Sequence, residues 1–212
     1  GIFISHEHSD HIAGLQQLLK RFDIPVYTKQ GTWREIQDKL IVPKNQLIEL
    51  TKGSLTLGNL IVEPFAVSHD AADPIGINVF AGKDKATVVT DTGVISDSIL
   101  RRMDDTTLLV LEANYDPHML RFGPYQPFLK QRVASDEGHL SNEMAAQALL
   151  MMNRPDFMQV ILAHRSENNN NAVLVTQTIG KMLVDGGVRI GPEMKLQHGQ
   201  PNEIVSMKSV KR

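Results

Sequence analysis

A cluster of histidine and acidic residues near the start of the chain could bind metal ions. Residues 6–11 read HEHSDH, so that His6, His8, Asp10 and His11 fall within six positions of a chain with 8 histidines in 212 residues. Two histidines one residue apart can project their imidazoles to the same side of an extended segment, while Asp10 and His11 can turn towards a second point. Imidazole and carboxylate suit zinc, manganese or iron. The motif predicts a metal site; the alternative is a polar surface loop.

Three further side chains of ligand type directly follow apolar segments that are predicted to be strands. His69 comes after LIVEPFAVS, Asp91 after KATVVT and His164 after QVILA. Taken singly, such a histidine is often a hydrogen-bonded loop residue, and an Asp-Thr-Gly sequence is often a turn. Because α/β sheets place their sites where the carboxyl ends of strands converge, the three together predict the additional ligands that two ions need.

Two other side chains could form an acid–base pair. Glu112 ends the apolar segment TLLVLE, and His139 lies in the sequence GHLSNE, just before a predicted helix. A carboxylate held against an imidazole favours the protonated ring, which can then give its proton to a leaving alkoxide. The alternative is structural, with Glu112 capping a loop and His139 capping the helix that begins near Ser141.

The apolar pattern predicts an α/β fold that carries these residues at the ends of its strands. The predicted strands are residues 1–5, 25–27, 46–50, 54–57, 60–68, 76–81, 85–90, 107–111 and 159–163. The predicted helices are residues 13–22, 32–40, 95–103, 141–152 and 169–185. Residues 6–11 are thereby placed in a loop at the carboxyl end of the first strand.

Residues 115–138 have no clear period, which is typical of a functional loop or lid. The segment carries three cations, Arg121, Lys130 and Arg132. Aromatic residues lie between or near these cations, at Tyr115, Phe122, Tyr125 and Phe128. Cations and aromatic rings together can hold a nucleic-acid strand by its phosphates and bases. The alternative is a buried aromatic cluster that fixes a loop bearing solvated charges.

The composition favours one soluble domain over residues 1–212, with a frayed tail from about His198. With 42% hydrophobic and 22% charged residues the chain is not disordered, and its lack of cysteine excludes a thiol nucleophile, Cys-ligated zinc and a disulfide scaffold. The formal net charge of -2 creates no overall positive field for nucleic acid. Because neither a membrane span nor a signal peptide is recognisable, a cytoplasmic protein is expected.

Together, the ligand-type residues resemble those of the metallo-β-lactamase fold, an αββα sandwich of dinuclear metallohydrolases. The resemblance implies two divalent metal ions, zinc or manganese. The implied ligands are His6, His8 and His69 for the first ion, Asp10, His11 and His164 for the second, and Asp91 as a bridge. β-Lactamases themselves typically lack this aspartate, whereas the glyoxalase, lactonase and nuclease branches carry it, so antibiotic hydrolysis is disfavoured.

The remaining motifs restrict the resemblance to one group of proteins with this fold. Glu112-Ala113 and Gly138-His139 resemble the proton-donating pair of tRNA 3′-processing endonucleases, and the whole set resembles the bacterial YycJ/VicX (WalJ-type) group from residue 1 to about residue 197. That group implies a phosphodiesterase acting on DNA as a 5′-to-3′ exonuclease. Asp10 would orient an activated water, and His139 supported by Glu112 would protonate the leaving oxygen. The rivals are an RNA-processing nuclease, a thioester or lactone hydrolase, and a non-catalytic regulatory protein.

The chain departs from that family at its beginning. Family members normally have some tens of residues before the H-x-H-x-D-H motif, whereas here the motif begins at His6. Those residues supply the first strands and the first helix. We therefore expect an N-terminally incomplete sandwich with an exposed sheet edge, which would favour pairing with a second copy and hence a homo-oligomer.

Overall fold

The computed structural model describes residues 1–51, 53–200 and 204–206. Its strands are β1 (Ile2–Phe3), β2 (Val26–Thr28), β3 (Leu47–Glu49), β4 (Leu55–Leu57), β5 (Leu60–Ala66), β6 (Ile75–Ala81), β7 (Asp84–Val89), β8 (Leu108–Glu112), β9 (Met158–Ala163) and β10 (Met194–His198). Its helices are α1 (Ser9–Ile12), α2 (Leu15–Leu19), α3 (Gln30–Gln37), α4 (Asp97–Met103), α5 (Pro117–Phe122), α6 (Pro127–Val133), α7 (Asn142–Met151) and α8 (Ala172–Asp185). No described helix is long and apolar enough to cross a bilayer.

The strands form two sheets. The smaller sheet has the order β1-β2-β3 and is parallel throughout. The larger sheet has the order β10-β9-β8-β7-β6-β5-β4, in which β10 to β7 are parallel and β7 to β4 are antiparallel. Parallel neighbours end at the same edge, so β7, β8 and β9 deliver the residues that follow them to one place.

Three apolar clusters show the order of the layers. The largest packs α4, α7 and α8 against the larger sheet, and α8 contributes one stripe of every fourth residue, Val175, Ile179 and Leu183. A second packs α1, α2 and α3 against the smaller sheet. A third lies between the sheets, where Tyr27 of β2 and Ile75 of β6 are both buried. Helices thus cover the outer faces of two facing sheets, which confirms the αββα sandwich.

Most predicted elements are confirmed, with ends shifted by a few residues. The two long helices begin as the sequence indicates, because Ser141 accepts a hydrogen bond from the Met144 amide and Asn171 accepts one from Leu174. These N-caps satisfy amide groups that the first helical turn leaves free.

Two predictions of local structure are wrong. Asp10 and His11 lie on α1 rather than in a loop, and this helix buries only Ile12, which is too little to show a period. Residues 115–138 contain two short helices, each started by a proline, in place of an irregular loop. His198 ends β10 and pairs with β9, and the tail predicted from about His198 falls mostly on residues 201–203 and 207–212, which lie outside the described residues.

Candidate metal centre

The carboxyl ends of the strands meet around one cluster of polar side chains. His6 follows β1, His69 follows β5, and Asp91 and His164 follow β7 and β9. Asp91 and His164 both have positive φ values, 56° and 51°, in a region that residues other than glycine seldom adopt. Such strained conformations persist where the surrounding structure enforces them, commonly at functional sites. The turn at the end of each strand here directs the side chain into the cluster.

The structure brings all the predicted ligands together in overlapping groups. Within each group the candidate ligand atoms lie within 4.8 Å of one another. The groups are His6, His8 and His69; His6, His11 and Asp91; Asp10, His11 and His164; and Asp91, Glu112, His139 and His164. The first and third groups coincide with the two ligand sets that the family resemblance implies.

Asp91 lies between these two ligand sets. Its Oδ1 is 3.7 Å from Nε2 of His69 on one side and 3.4 Å from Nε2 of His164 on the other, and its Oδ2 is 3.3 Å from Nε2 of His11. Its side chain is almost completely buried. A buried carboxylate with contacts on both sides has the position that a bridge between two ions requires.

Three ring nitrogens that face away from the cluster, those of His6, His11 and His69, have polar partners of their own. The hydroxyl of Ser5 lies 3.0 Å from Nδ1 of His6 and 3.3 Å from Nδ1 of His11. Nδ1 of His69 lies 3.1 Å from the carbonyl oxygens of Glu137 and Gly138, to which it can donate its proton. An imidazole held in this way presents the lone pair of its other nitrogen, Nε2, which is how metal-binding histidines are oriented.

The electrostatics of the cluster favour a bound cation. Burial, aided by the neighbouring His11, lowers the pKa of His6 to about 3, so its imidazole is neutral and able to act as a ligand. Burial opposes the charge of His164 as well, yet Asp10 and Glu112 raise the pKa of that imidazole to about 11. Burial likewise opposes ionisation of Asp91, but His11 and His164 bring the pKa of that carboxyl far below its usual range. The acidic half of the cluster thus stabilises positive charge.

Besides Nδ1 of His164, which lies 3.6 Å from Oε2 of Glu112, two buried atoms of the cluster have no hydrogen-bond partner among the described residues, namely Nε2 of His6 and Oδ2 of Asp91. Buried polar atoms are rarely left unpaired. A metal ion coordinated by the imidazole and the carboxylate would satisfy both atoms, and nitrogen and oxygen donors are suitable for a divalent ion of the first transition series. The residues present therefore fit a metal centre.

Glu112 connects the cluster to His139. Its side chain is fully buried, and Oε1 accepts a hydrogen bond from the Leu140 amide at 3.0 Å and lies 3.0 Å from Nδ1 of His139. Oε2 accepts from the Asp91 amide and lies 3.6 Å from Nδ1 of His164. Hydrogen bonds to the carboxylate outweigh its burial, so the pKa of Glu112 is below its usual value. Glu112 therefore fixes His139 through Nδ1 and leaves Nε2 for a reacting group.

Steric crowding explains why the residue before His139 is a glycine. A Cβ at Gly138 would lie 2.3 Å from the carbonyl oxygens of Arg132 and Val133 at the end of α6. The backbone can pass this helix only without a side chain, and the close approach places His139 beside the cluster.

Comparisons with known proteins agree with this geometry. The chain is 35% identical over 203 residues to exodeoxyribonuclease YycJ of Bacillus anthracis, covering 95% of this chain and 77% of that protein. It is 32% identical over 206 residues to exodeoxyribonuclease WalJ of Streptococcus pneumoniae, with 95% and 76% covered. A family model described as a beta-lactamase superfamily domain matches residues 1–164. The chain belongs to the beta-lactamase superfamily, within its YycJ/WalJ group.

Solved structures of the superfamily share the fold. The metallo-β-lactamase fold protein YhfI from Bacillus subtilis superposes with a TM-score of 0.65 at 18% identity, covering 92% of this chain and 73% of that one. At this identity the likeness establishes the architecture alone. Membership of the superfamily implies divalent metal ions, and the histidine and aspartate cluster is the candidate site for them.

Two acidic residues beside the metal centre were not predicted from the sequence. Asp70 directly follows His69; its Oδ1 lies 3.5 Å from Nε2 of His69, and its carboxylate accepts from Arg132, with Nη2 at 3.1 Å. Glu7, within the HEHSDH motif, accepts a hydrogen bond at 2.8 Å from the amide of Ala72 and so ties the motif to the His69 loop. Their position beside predicted ligands was the only signal in the sequence.

The three predicted cations differ in their surroundings. The Arg121 side chain is exposed, with its guanidinium 5.3 Å from the ring centre of Phe122, and Lys130 donates to the Arg121 carbonyl at 2.8 Å. Arg132 lies beside the candidate metal centre, since its guanidinium pairs with Asp70. Tyr115 is buried, as the alternative of an aromatic cluster requires, whereas Phe122 and Phe128 are 67% and 70% exposed.

Metal binding is expected to stabilise this superfamily member strongly. At free metal a thousandfold above Kd, each site adds about 4 kcal/mol to the free energy of unfolding, so the thermal midpoint should rise by about 10 °C or more. Differential scanning fluorimetry with chelator and then with zinc or manganese measures this shift. His6→Asn should reduce the shift and His118→Ala, an exposed histidine outside the cluster, should keep it; the same shift in both variants would contradict the assignment.

Proposed function

We propose that this chain is a dinuclear metal-dependent phosphodiesterase that degrades DNA as a 5′-to-3′ exonuclease, using zinc or manganese. His6, His8 and His69 would hold the first ion, Asp10, His11 and His164 the second, and Asp91 would bridge them. The relatives YycJ and WalJ, which are named exodeoxyribonucleases, support a DNA substrate.

The observation that carries the proposal is the placement of the Glu112 and His139 pair. The imidazole of His139 lies against the candidate metal cluster, with its Nδ1 3.9 Å from Oδ1 of Asp91. Hydrolysis of a phosphodiester expels an alkoxide, which leaves far more readily when it receives a proton. Activated esters and lactones need no such donor, so this pair favours a phosphodiesterase.

Each residue then has a defined part in the reaction. When two divalent ions are bound, they polarise the phosphate and lower the pKa of a water. Asp10, whose side chain is 65% exposed at the mouth of the cluster, orients that water. His139 gives the proton on Nε2 to the leaving oxygen. Glu112 accepts a hydrogen bond from Nδ1–H and so holds the imidazole in the orientation that this transfer requires.

Exposed aromatic and basic side chains next to the site support a nucleic-acid substrate. Phe122 and Phe128 lie on α5 and α6, and their rings are accessible for stacking against bases. Arg121 lies on the same pair of helices, where it can contact phosphate.

Replacing Arg121 by alanine should weaken binding of a DNA oligonucleotide. One lost phosphate contact reduces the slope of log K against log salt by about 1, and Arg101→Ala, on the exposed face of α4, should leave the slope as it is. Fluorescence anisotropy over a salt series measures both. An unchanged slope for Arg121→Ala would remove this residue from the binding surface.

The direct test uses metal-loaded protein with DNA and RNA labelled at the 5′ or the 3′ end. Release of single nucleotides from the 5′ end of DNA, lost in Asp91→Ala and His139→Ala, is the expected result. Cleavage of RNA alone would replace the proposal by its RNA-processing rival. Failure of the metal-loaded protein to cleave either nucleic acid would overturn the proposal.

A further inference from the structure

A cavity of about 810 Å³ opens directly beside the metal centre. Asp10, His139 and His164 line it on the side of the cluster. Tyr125, Arg132 and Arg165 contribute further parts of its wall. Ligand pockets in proteins commonly have volumes of about 300–1,000 Å³, so the cavity has room for one nucleotide next to the reacting phosphate and is too small for a duplex.

Arg165 is a cationic residue of this wall with an unpaired buried nitrogen. One nitrogen of its guanidinium, Nη1, is inaccessible to solvent and has no hydrogen-bond partner among the described residues. Arg132 on the same wall differs, because it is paired with the carboxylate of Asp70. Leaving a buried donor of a cationic group unpaired is costly, and an anion is the acceptor that best suits the charge of this half-buried guanidinium.

The described surroundings of Arg165 give it no ion-pair partner. No carboxylate of the described chain forms an ion pair with it, as far as residues 1–51, 53–200 and 204–206 extend. Burial and then the positive charge of Arg165 lower the pKa of the nearby His198. A guanidinium presents a planar fork of donors that matches a phosphate group.

The backbone fixes Arg165 relative to the metal centre. Arg165 is the residue after His164, so the two share one loop. The side chain of Asn114 donates to the His164 carbonyl at 2.8 Å, and the Ser166 amide donates to the Asn114 carbonyl at 2.9 Å. These two hydrogen bonds hold both ends of the loop segment, so the distance between Arg165 and the reacting phosphate is set by the fold.

We propose that Arg165 binds a phosphate group of the nucleic-acid strand, in the cavity beside His139 that receives one nucleotide next to the scissile bond. The inference rests on the proposed nuclease function. It names a nucleotide phosphate as the ligand of this cavity and Arg165, which is not a predicted metal ligand, as the residue that binds it. Tyr125 provides an aromatic surface on the same wall for the base or sugar.

Calorimetric titration of metal-loaded protein with thymidine 5′-monophosphate and with thymidine tests the assignment. Loss of a charged hydrogen bond corresponds to about ten- to a hundredfold weaker binding. Arg165→Ala should weaken binding of the monophosphate by that factor, and Arg165→Lys, which keeps the charge without the fork, should lie between alanine and wild type. Arg101→Ala is the matched control. Equal affinity of wild type and Arg165→Ala for the monophosphate would overturn the proposal.

Steady-state kinetics on a DNA oligonucleotide separates positioning of the substrate from general damage. A phosphate contact made before and during the reaction should raise KM by about tenfold or more in Arg165→Ala, with a smaller change in kcat. A fall in kcat at constant KM would contradict a binding role. If wild type cleaves neither DNA nor bis(4-nitrophenyl) phosphate, the proposed function fails, whereas the nucleotide titration still decides the role of Arg165.

Discussion

Asp91→Asn should lose one or both metal ions and nearly all activity. The substitution keeps the size of the side chain but removes the negative charge that lies within 3.3–3.7 Å of Nε2 atoms of His11, His69 and His164. Metal ions contribute several kcal/mol of transition-state stabilisation, which corresponds to a fall in kcat/KM on the order of 10³-fold or more. Metal analysis of the purified variant, together with DNA cleavage, measures both effects.

The control for Asp91→Asn is Asp97→Asn, which makes the same chemical change at an exposed position in the first turn of α4. This control should keep two ions for each chain and wild-type activity. Circular dichroism shows whether either variant is folded. A folded Asp91→Asn protein that retains two ions and cleaves DNA at the wild-type rate would show that Asp91 is not the bridge.

His139→Ala should slow cleavage of DNA much more than cleavage of an activated ester. Loss of a general acid costs about 10²- to 10⁴-fold when the leaving group is an alkoxide. Bis(4-nitrophenyl) phosphate releases a stable phenolate, which departs without a proton, so its turnover should fall by about tenfold or less. The ratio of the two kcat/KM values, measured for wild type and variant, gives the result.

Two further variants sharpen the His139 experiment. Glu112→Gln keeps the shape of the pair but removes the carboxylate that faces Nδ1 of His139 at 3.0 Å, so its effect should also be larger on DNA than on the activated ester. His118→Ala, at an exposed position on α5, should behave as wild type. Equal losses on both substrates in His139→Ala would indicate damage to the metal centre. Turnover of a thioester or lactone that survives His139→Ala would favour the small-molecule rival.

The sequence predicted the candidate metal ligands and the architecture. Ligands of this kind need a particular residue type at a particular place, and the spacing of His6, His8, Asp10 and His11 is too restricted to arise in an ordinary loop. The remaining candidates follow apolar strands, and parallel strands such as β7, β8 and β9 end at one edge of the sheet. The spacing of the motif and the positions after apolar strands are both local in sequence, so both could be recognised without coordinates.

The short helices could not be predicted from the sequence in the same way. α1 has four residues and α5 has six, which is less than two turns, so no hydrophobic period can show. The prolines of residues 115–138 suggested an irregular loop, although a proline at the first helical position is compatible with a helix. Only packing against the rest of the chain determined these conformations.

What the tertiary structure alone decided are contacts between distant residues that no motif pairs. Asp70 and Arg132 are 62 positions apart, and no local pattern pairs them. Glu112 and His139, 27 positions apart, differ, because their chemistry and the family resemblance predict the pair. The unpaired guanidinium nitrogen of Arg165 is likewise a property of its surroundings in space. The sequence therefore identified the candidate ligands of the metal ions, because ligand chemistry depends on residue type. The fold decided which side chains surround them, because burial and pairing depend on the whole chain.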